Sequence, residues 1–319
     1  VIVFCSNSTG WDDQAGALVP GGMIDAYIAP ILAHMPDGSY VIERQPRRDA
    51  VNVYLATRGR YLQGRREIGR IGVMISHGIA DKSYRQGLKA NTYHWLTSPG
   101  PAYTQRFTTG GFPGSRIREL GYPKLDPLFQ GLIEAPVRDG RIRVVWAPTH
   151  GGGGERYVNG NRQAPGAGAT SWWHRDKVLS LLDPQQFDVV EAPHPRHRPD
   201  RRATLTEYAG ADVVIADGGS TIYEAWALGL PVVFPTWLTG QRNREREGGA
   251  TLEAHIYRQR LGLHADAPGD LPGLLEKGAA DGIDADAAAF IDTILPTATR
   301  GHGGRLHAEF LLSLDGGGP

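Results

Sequence analysis

The chemical potential of this chain is concentrated in Asp217-Gly218-Gly219-Ser220-Thr221, with Glu224 about one turn further on. Two glycines let the backbone come close to a ligand. A Ser-Thr pair at a helix start adds hydroxyls beside unpaired N–H groups and the positive end of the helix dipole. That combination suits a diphosphate. Glu224 is spaced to accept hydrogen bonds from the hydroxyls of an attached ribose, as acidic side chains do in dinucleotide folds. An Asp-Gly-Gly-Ser alone is about as often an ordinary capped helix, so the setting carries the weight. Val213 to Ala216 before it, and Pro231-Val232-Val233 after it, read as strands buried in a parallel sheet.

Four more polar clusters follow apolar runs or short junctions, in a fixed order. They are Ser76-His77-Gly78 with Asp81-Lys82, then Gly121-Tyr122-Pro123-Lys124-Leu125-Asp126, then Trp146-Ala147-Pro148-Thr149, then Ala192-Pro193-His194-Pro195. A neutral histidine with a reference pKa of about 6.5 can take the proton of an attacking hydroxyl. His77 is the candidate base. A lone histidine is more often a satisfied core residue, but Gly78 and Lys82 move the balance towards chemistry. Asp12 or Asp13 is the competing base, with a helix N-cap as the plain alternative. Negative charge developing on a leaving group needs hydroxyls, amides or cations, which Ser220, Thr221, Lys82, Arg196 and Arg198 could supply. Thr149, His150 and His194 join this donor-binding set, His150 with a loop role equally open. Two histidines at i and i+3 in Pro193-His194-Pro195-Arg196-His197-Arg198, with no carboxylate or cysteine beside them, make poor metal ligands. No metal is expected. Trp172-Trp173 reads as a core or interdomain pair before a base-stacking platform.

These residues need strands to position them. Val1 to Cys5, Tyr40 to Glu43, Val51 to Leu55, Ile71 to Ser76 and Trp95 to Ser98 are the strand candidates of a first half, and Ile117 to Leu120 precedes the Gly121 to Asp126 cluster. Helices are expected over Gly22 to His34 and Tyr103 to Phe107. Pro127 to Arg141 changes character and reads as the interdomain connection. Strands then follow at Arg143 to Ala147 and Asp188 to Ala192, with helices at Ser171 to Leu182, Thr204 to Gly210 and Thr251 to Arg258. The glycine-rich stretch Gly151 to Thr170 is too polar for core and reads as a long functional or mobile loop. Alternating strands and helices in both halves predict an α/β protein of two doubly wound, Rossmann-like domains facing a cleft. The expected divisions are 1–130, 131–300, and a terminal helix in 301–319 that crosses back to the first domain.

Composition narrows the field. Lys plus Arg number 34 and Asp plus Glu 34, so net charge gives no sign of a polyanion partner. The single cysteine, Cys5, forms neither an internal disulfide nor a cysteine-based metal site, which favours a reducing compartment. No uninterrupted apolar run reaches the length a membrane span requires. A cytoplasmic location is expected, with peripheral membrane association compatible.

The five ordered clusters together, over roughly residues 70 to 235, resemble the CDP-glycerol glycerophosphotransferase family. That family shares a His-Gly followed by Lys, a Gly-Tyr-Pro-basic-x-Asp, an Ala-Pro-Thr, a His-Pro and an Asp-x-x-Ser-Ser/Thr. The resemblance implies the glycosyltransferase B architecture, transfer from a nucleotide-diphosphate donor without metal or cofactor, and the general base at His77. It also implies phosphate or nucleotide contacts at His194, Ser220 and Thr221. Asp217-Gly218-Gly219-Ser220-Thr221 departs from the family's usual Asp-Tyr-Ser-Ser. With Ala227-Leu228-Gly229-Leu230-Pro231-Val232-Val233, it is more similar to sugar-nucleotide transferases of the same fold and to UDP-N-acetylglucosamine epimerases. A UDP-sugar and CDP-glycerol are both implied as donors. The acceptor is a hydroxyl on a glycan, a polymer or a modified nucleic acid. Other readings are a phage-type DNA-modifying glycosyltransferase, for which Arg58 to Arg70 could form a groove, a sugar-nucleotide epimerase, or a non-catalytic nucleotide-sugar-binding module. A dehydrogenase is rejected, because no Gly-x-Gly-x-x-Gly follows the first strand.

Overall fold

Short apolar runs become parallel strands in two separate sheets. The computed structural model describes residues 1–5, 25–43, 45–55, 70–75, 78–81, 92–149, 156–158, 161–163, 170–198, 202–245 and 249–316. The chain divides into two units, Val1–Leu132 with Asp292–Pro319, and Ile133–Ile291.

The first unit holds β1 (Ile2–Cys5), β2 (Tyr40–Glu43), β3 (Val51–Tyr54), β4 (Ile71–Met74), β5 (Trp95–Ser98) and β6 (Ile117–Glu119) in the order β2-β1-β3-β4-β5-β6. Every pairing is parallel. All four residues of β1 and of β3 are buried, as strands covered on both faces must be. Helices Asp25–Leu32 and Gly303–Gly316 pack together on this sheet. Ile28, Ile31, Ala308 and Leu311 share a core with Phe4, Val51 and Val53. The terminal segment therefore belongs to the first unit's core, and the return begins at Asp292.

The second unit holds β7 (Ile142–Ala147), β10 (Phe187–Glu191), β11 (Val213–Ala216), β12 (Val232–Pro235) and β13 (Leu263–Ala265), in the order β10-β7-β11-β12-β13 and again all parallel. Register sets the site. Ala147 pairs with Ala216, so the residues that follow β7 and β11 emerge side by side at one sheet edge. Helix Ser220–Ala227 links β11 to β12, and Val144, Trp146, Val213, Ile215 and Val233 form the core with Leu271 and Leu275 from helix Asp270–Asp281.

The structure corrects several local expectations. Within Gly151 to Thr170, β8 (Arg156–Val158) and β9 (Asn161–Gln163) pair antiparallel, with Val158 opposite Asn161. The Asn159-Gly160 dipeptide between them is the sequence signal for such a hairpin. Thr204 to Gly210 yields only a 3-10 turn at Thr206–Tyr208, and Ser171 to Leu182 splits into a 3-10 turn, Ser171–His174, and a helix, Arg175–Leu179. Helices Thr236–Glu245, Asp270–Asp281 and Ala285–Ile294, together with β13, are additions to the sequence reading.

Candidate functional site

Asp217 organises the edge where β7 and β11 end. It is 1 % exposed, and its carboxylate accepts on both oxygens. Oδ1 takes the Thr149 N–H at 2.8 Å, while Oδ2 takes the Thr170 hydroxyl at 3.0 Å, the Ser171 hydroxyl at 2.7 Å and the Ser171 N–H. Its carbonyl accepts from Asn243 Nδ2 and from the Tyr257 hydroxyl at 3.0 Å. Burial pushes the carboxyl above the usual carboxylate range, and the hydrogen bonds from Ser171, Thr149 and Thr170 pull it back. Asp217 is thus a brace: its carboxylate ties the end of β7 and the Thr170–Ser171 segment to the end of β11.

The turn that Asp217 braces is the accessible part. Gly218 is buried, whereas Gly219, Ser220 and Thr221 are half-buried. Gly219 has φ +83°, and a Cβ there would meet Thr149 Oγ1 at 3.3 Å. A side chain would strain the backbone and crowd Thr149. As N-cap of helix Ser220–Ala227, Gly219 provides no side-chain cap. A glycine there leaves room at the helix start that a Ser, Thr or Asp cap would fill with its side chain. The Thr221 hydroxyl lies 3.4 Å from both the Ala147 and Gly218 carbonyls, fastening the helix start to β7.

His194 follows β10, the strand on the other side of β7, and is half-buried. Its carbonyl accepts from the His197 N–H at 2.7 Å. Arg198 closes this loop from beneath. Its Nε donates to the Pro193 carbonyl at 2.8 Å, and its guanidinium pairs with Glu207 at 2.6 Å. Both side chains are buried, at 6 % and 4 % exposure, so Arg198 is a structural ion pair rather than a surface cation. Burial alone would raise the Glu207 carboxyl, but the Arg198 charge and hydrogen bond, together with backbone N–H groups of Glu207 and Leu205, outweigh it and leave the carboxyl below the usual value.

Thr149, His194, Asp217, Gly218, Gly219, Ser220 and Thr221 therefore come together on one edge of the second unit, with Thr149, His194 and Gly219–Thr221 presented to solvent in part. Glu224 stands behind them. It is 0 % exposed and accepts from the Tyr208 hydroxyl at 3.1 Å, buried with its apolar helix neighbours Ile222, Tyr223, Ala225 and Trp226. The apolar surround was its sequence signal. His77, Lys82, Asp12, Asp13 and His150 lie outside the described residues. Arg196 belongs to the turn Pro195–His197, but its side chain lies outside them as well. Of the segment after His77, Gly78–Asp81 is described. The Tyr103 hydroxyl donates to the Ile79 carbonyl, and Asp81 pairs with Arg106, both anchoring it to helix Pro101–Thr109. Thr170, Ser171, Asn243 and Tyr257, which set the brace, carry no local motif. They reach Asp217 from 26 to 47 residues away.

The Gly121-Tyr122-Pro123-Lys124-Leu125-Asp126 cluster has a different task in the first unit. Asp126 accepts the Gly303 and Gly304 N–H groups at 3.2 and 2.6 Å, capping the last helix. A Cβ on Gly303 would lie 2.8 Å from Pro123 N, and one on Gly304 2.2 Å from the Pro30 carbonyl oxygen. Gly121 has φ +76° with Thr299 against it. The motif is a seat for the terminal helix.

No protein-family model and no curated protein matches the chain. Among solved structures it is similar to the wall teichoic acid polymerase TagF, at 13 % identity and a TM-score of 0.63, covering 98 % of this chain and 88 % of that one. A TagF histidine variant soaked with CDPG matches over the same shares at 13 % identity and a TM-score of 0.61. HepE of Anabaena, in complex with UDP and glucose, aligns over 99 % of each chain at 14 % identity, but its TM-score of 0.45 carries no argument. The protein has the two-domain α/β fold of glycosyltransferase B type that it shares with TagF.

Proposed function

We propose that this protein is a transferase that moves a glycosyl or glycerophosphate group from a nucleotide-diphosphate donor to an acceptor hydroxyl. One observation carries the reading: the half-buried start of a helix, entered from a glycine turn braced by Asp217 and Thr149, sits at the carboxyl edge of a parallel sheet. Ligands of open α/β sheets bind at that edge, and helix N-termini favour phosphates there. The TagF variant soaked with CDPG supports a CDP-linked donor. The sequence pattern Gly218-Gly219-Ser220-Thr221 with Ala227 to Val233 favours a UDP-sugar as the second reading. Neither needs a resident metal or cofactor.

In this scheme His77 takes the proton of the acceptor hydroxyl as its oxygen attacks. For glycosyl transfer, the bond from the anomeric carbon to the diphosphate breaks and the nucleoside diphosphate leaves. For glycerophosphate transfer, attack falls on the glycerol-bearing phosphorus and the nucleoside monophosphate leaves. The Ser220 and Thr221 hydroxyls, with the helix N–H groups, stabilise charge developing on the leaving phosphate. His194, which follows β10 on the far side of β7, adds a further contact to the same group in this reading.

Thermal melts with CDP, UDP, GDP and dTDP compounds test the donor site. A specific donor at a hundred times its Kd should stabilise the protein by about 2.7 kcal/mol. No shift with any of them would sink the reading. His77→Ala should abolish turnover and keep donor binding. Unchanged turnover would remove His77 from the mechanism, and binding without turnover in the unaltered protein would leave a binding module.

A further inference from the structure

Three aromatic rings run outward from the core of the second unit in a continuous stack. Trp146, in β7, lies 5.8 Å from Trp172 with planes 23° apart, and Trp172 lies 5.1 Å from His197 at 19°. Trp173 meets His197 edge-on, at 5.8 Å and 77°. Exposure rises along the series: Trp146 is fully buried, Trp172 and His197 are half-buried, and Trp173 is 49 % exposed. Trp173 is the one aromatic among the exposed large hydrophobic residues described. Half a tryptophan left in water at the end of an ordered stack forgoes apolar burial that a ligand ring could supply.

The backbone ties this stack to both halves of the candidate donor site. The Trp172 N–H donates to the Thr170 hydroxyl at 3.1 Å, the same hydroxyl that donates to Asp217. The Trp146 indole N–H donates at 3.3 Å to Ser171 Oγ, which also holds Asp217. At the other end, the His197 N–H donates to the His194 carbonyl at 2.7 Å. Hydrogen bonds thus link the ring-bearing segments to the brace of the diphosphate turn at one end and to the His194 loop at the other. A nucleotide held by its phosphates at Gly218–Thr221 carries a flat aromatic base one ribose away.

We propose that Trp173 and His197, backed by Trp172 and Trp146, form the nucleobase subsite of the donor. This rests on the donor-site reading above. His197 would offer a ring face and Trp173 a wall nearly perpendicular to it. Trp172 and Trp146 fix the position of the histidine from behind. Base stacking on such a platform tolerates either pyrimidine, because each presents a π-face.

Calorimetric titration with UDP, CDP and inorganic pyrophosphate separates the base from the phosphates. Trp173→Ala should weaken UDP and CDP about tenfold and leave pyrophosphate unchanged, while Trp173→Phe retains most of the affinity. His197→Ala should act in the same direction. Equal weakening of pyrophosphate would mean that the rings only support the phosphate turn, and the proposal would fall. Unchanged UDP and CDP affinity in both alanine variants would also overturn it, leaving the donor site intact. If the unaltered protein binds none of the three probes, the donor site itself is wrong and this subsite goes with it.

Discussion

Asp126 and Asp217 occupy parallel positions in their units. Each is a buried aspartate in an ordered polar cluster, its carboxyl raised by burial, its oxygens taken by N–H groups. What surrounds them differs. Gly121 to Asp126 is buried throughout and receives the terminal helix, whereas Asp217 leads into the half-buried Gly219–Thr221. A motif of similar appearance therefore closes the fold in one unit and leads into a half-buried glycine turn in the other. The partners of the carboxylate separate the two roles: Asp126 takes the first N–H groups of the terminal helix, whereas Asp217 takes Thr149 and Ser171 from its own unit.

That contrast can be broken by substitution. Gly304→Ala should have the largest effect, because its Cβ would lie 2.2 Å from the Pro30 carbonyl oxygen. A loss of about 4 kcal/mol in urea melts is expected, with the terminal helix displaced. A loss under about 1 kcal/mol would show that the seat is not tight. Asp217→Ala should cost about 3 kcal/mol by stranding buried N–H donors, and should also abolish nucleotide-induced stabilisation. Asp126→Ala should cost stability alone; if it also removes the nucleotide shift, the division of roles fails. Gly219→Ala and Gly121→Ala, at φ +83° and +76°, should each cost about 1–2 kcal/mol. Only the former should weaken nucleoside diphosphate binding, as read by calorimetry.

Acid should act on both units alike. His307, bonded to the Gly303 carbonyl and the Thr97 hydroxyl, and His264, between Thr236 and the Leu261 carbonyl, are each lowered by burial from 6.5 to about 4. The unfolded chain takes up these protons first, so stability is full above 6.5 and is lost as pH falls towards 4. The slope is about 1.4 kcal/mol per pH unit for each histidine. Asp126 and Asp217 carry the opposite sign: raised in the fold, they protonate there first and favour it as pH falls through their raised values. Urea midpoints between about pH 7 and pH 5 should decline, and His307→Gln should flatten the curve. A flat profile in the unaltered protein would contradict the burial of both imidazoles in neutral form.

The strands could be read from apolar runs because parallel strands buried on both faces need little else. Val213–Ala216 and Trp95–Ser98 emerge with the boundaries their composition suggests. Helix Thr236–Glu245 could not, since Thr, Gly, Gln, Asn and Arg give it no clear amphipathic pattern. At the site, Thr149 and Gly218–Thr221 were visible as types at a strand end. The assignment of Arg198 needed its partner: a basic cluster reads as solvated until Glu207 is found beneath it. Asp217 likewise reads as a ligand contact until the donors that surround it are known, and those come from distant segments.

The split composition of the first unit also sets an order of events during synthesis. Residues 133–291 form a continuous unit and can complete their sheet before residues 292–316 are made. The first unit cannot, because Ala308 and Leu311 are part of the core around β1 and β3. Its six strands must wait, with that face uncovered, until helix Gly303–Gly316 has been made and reached the seat at Asp126.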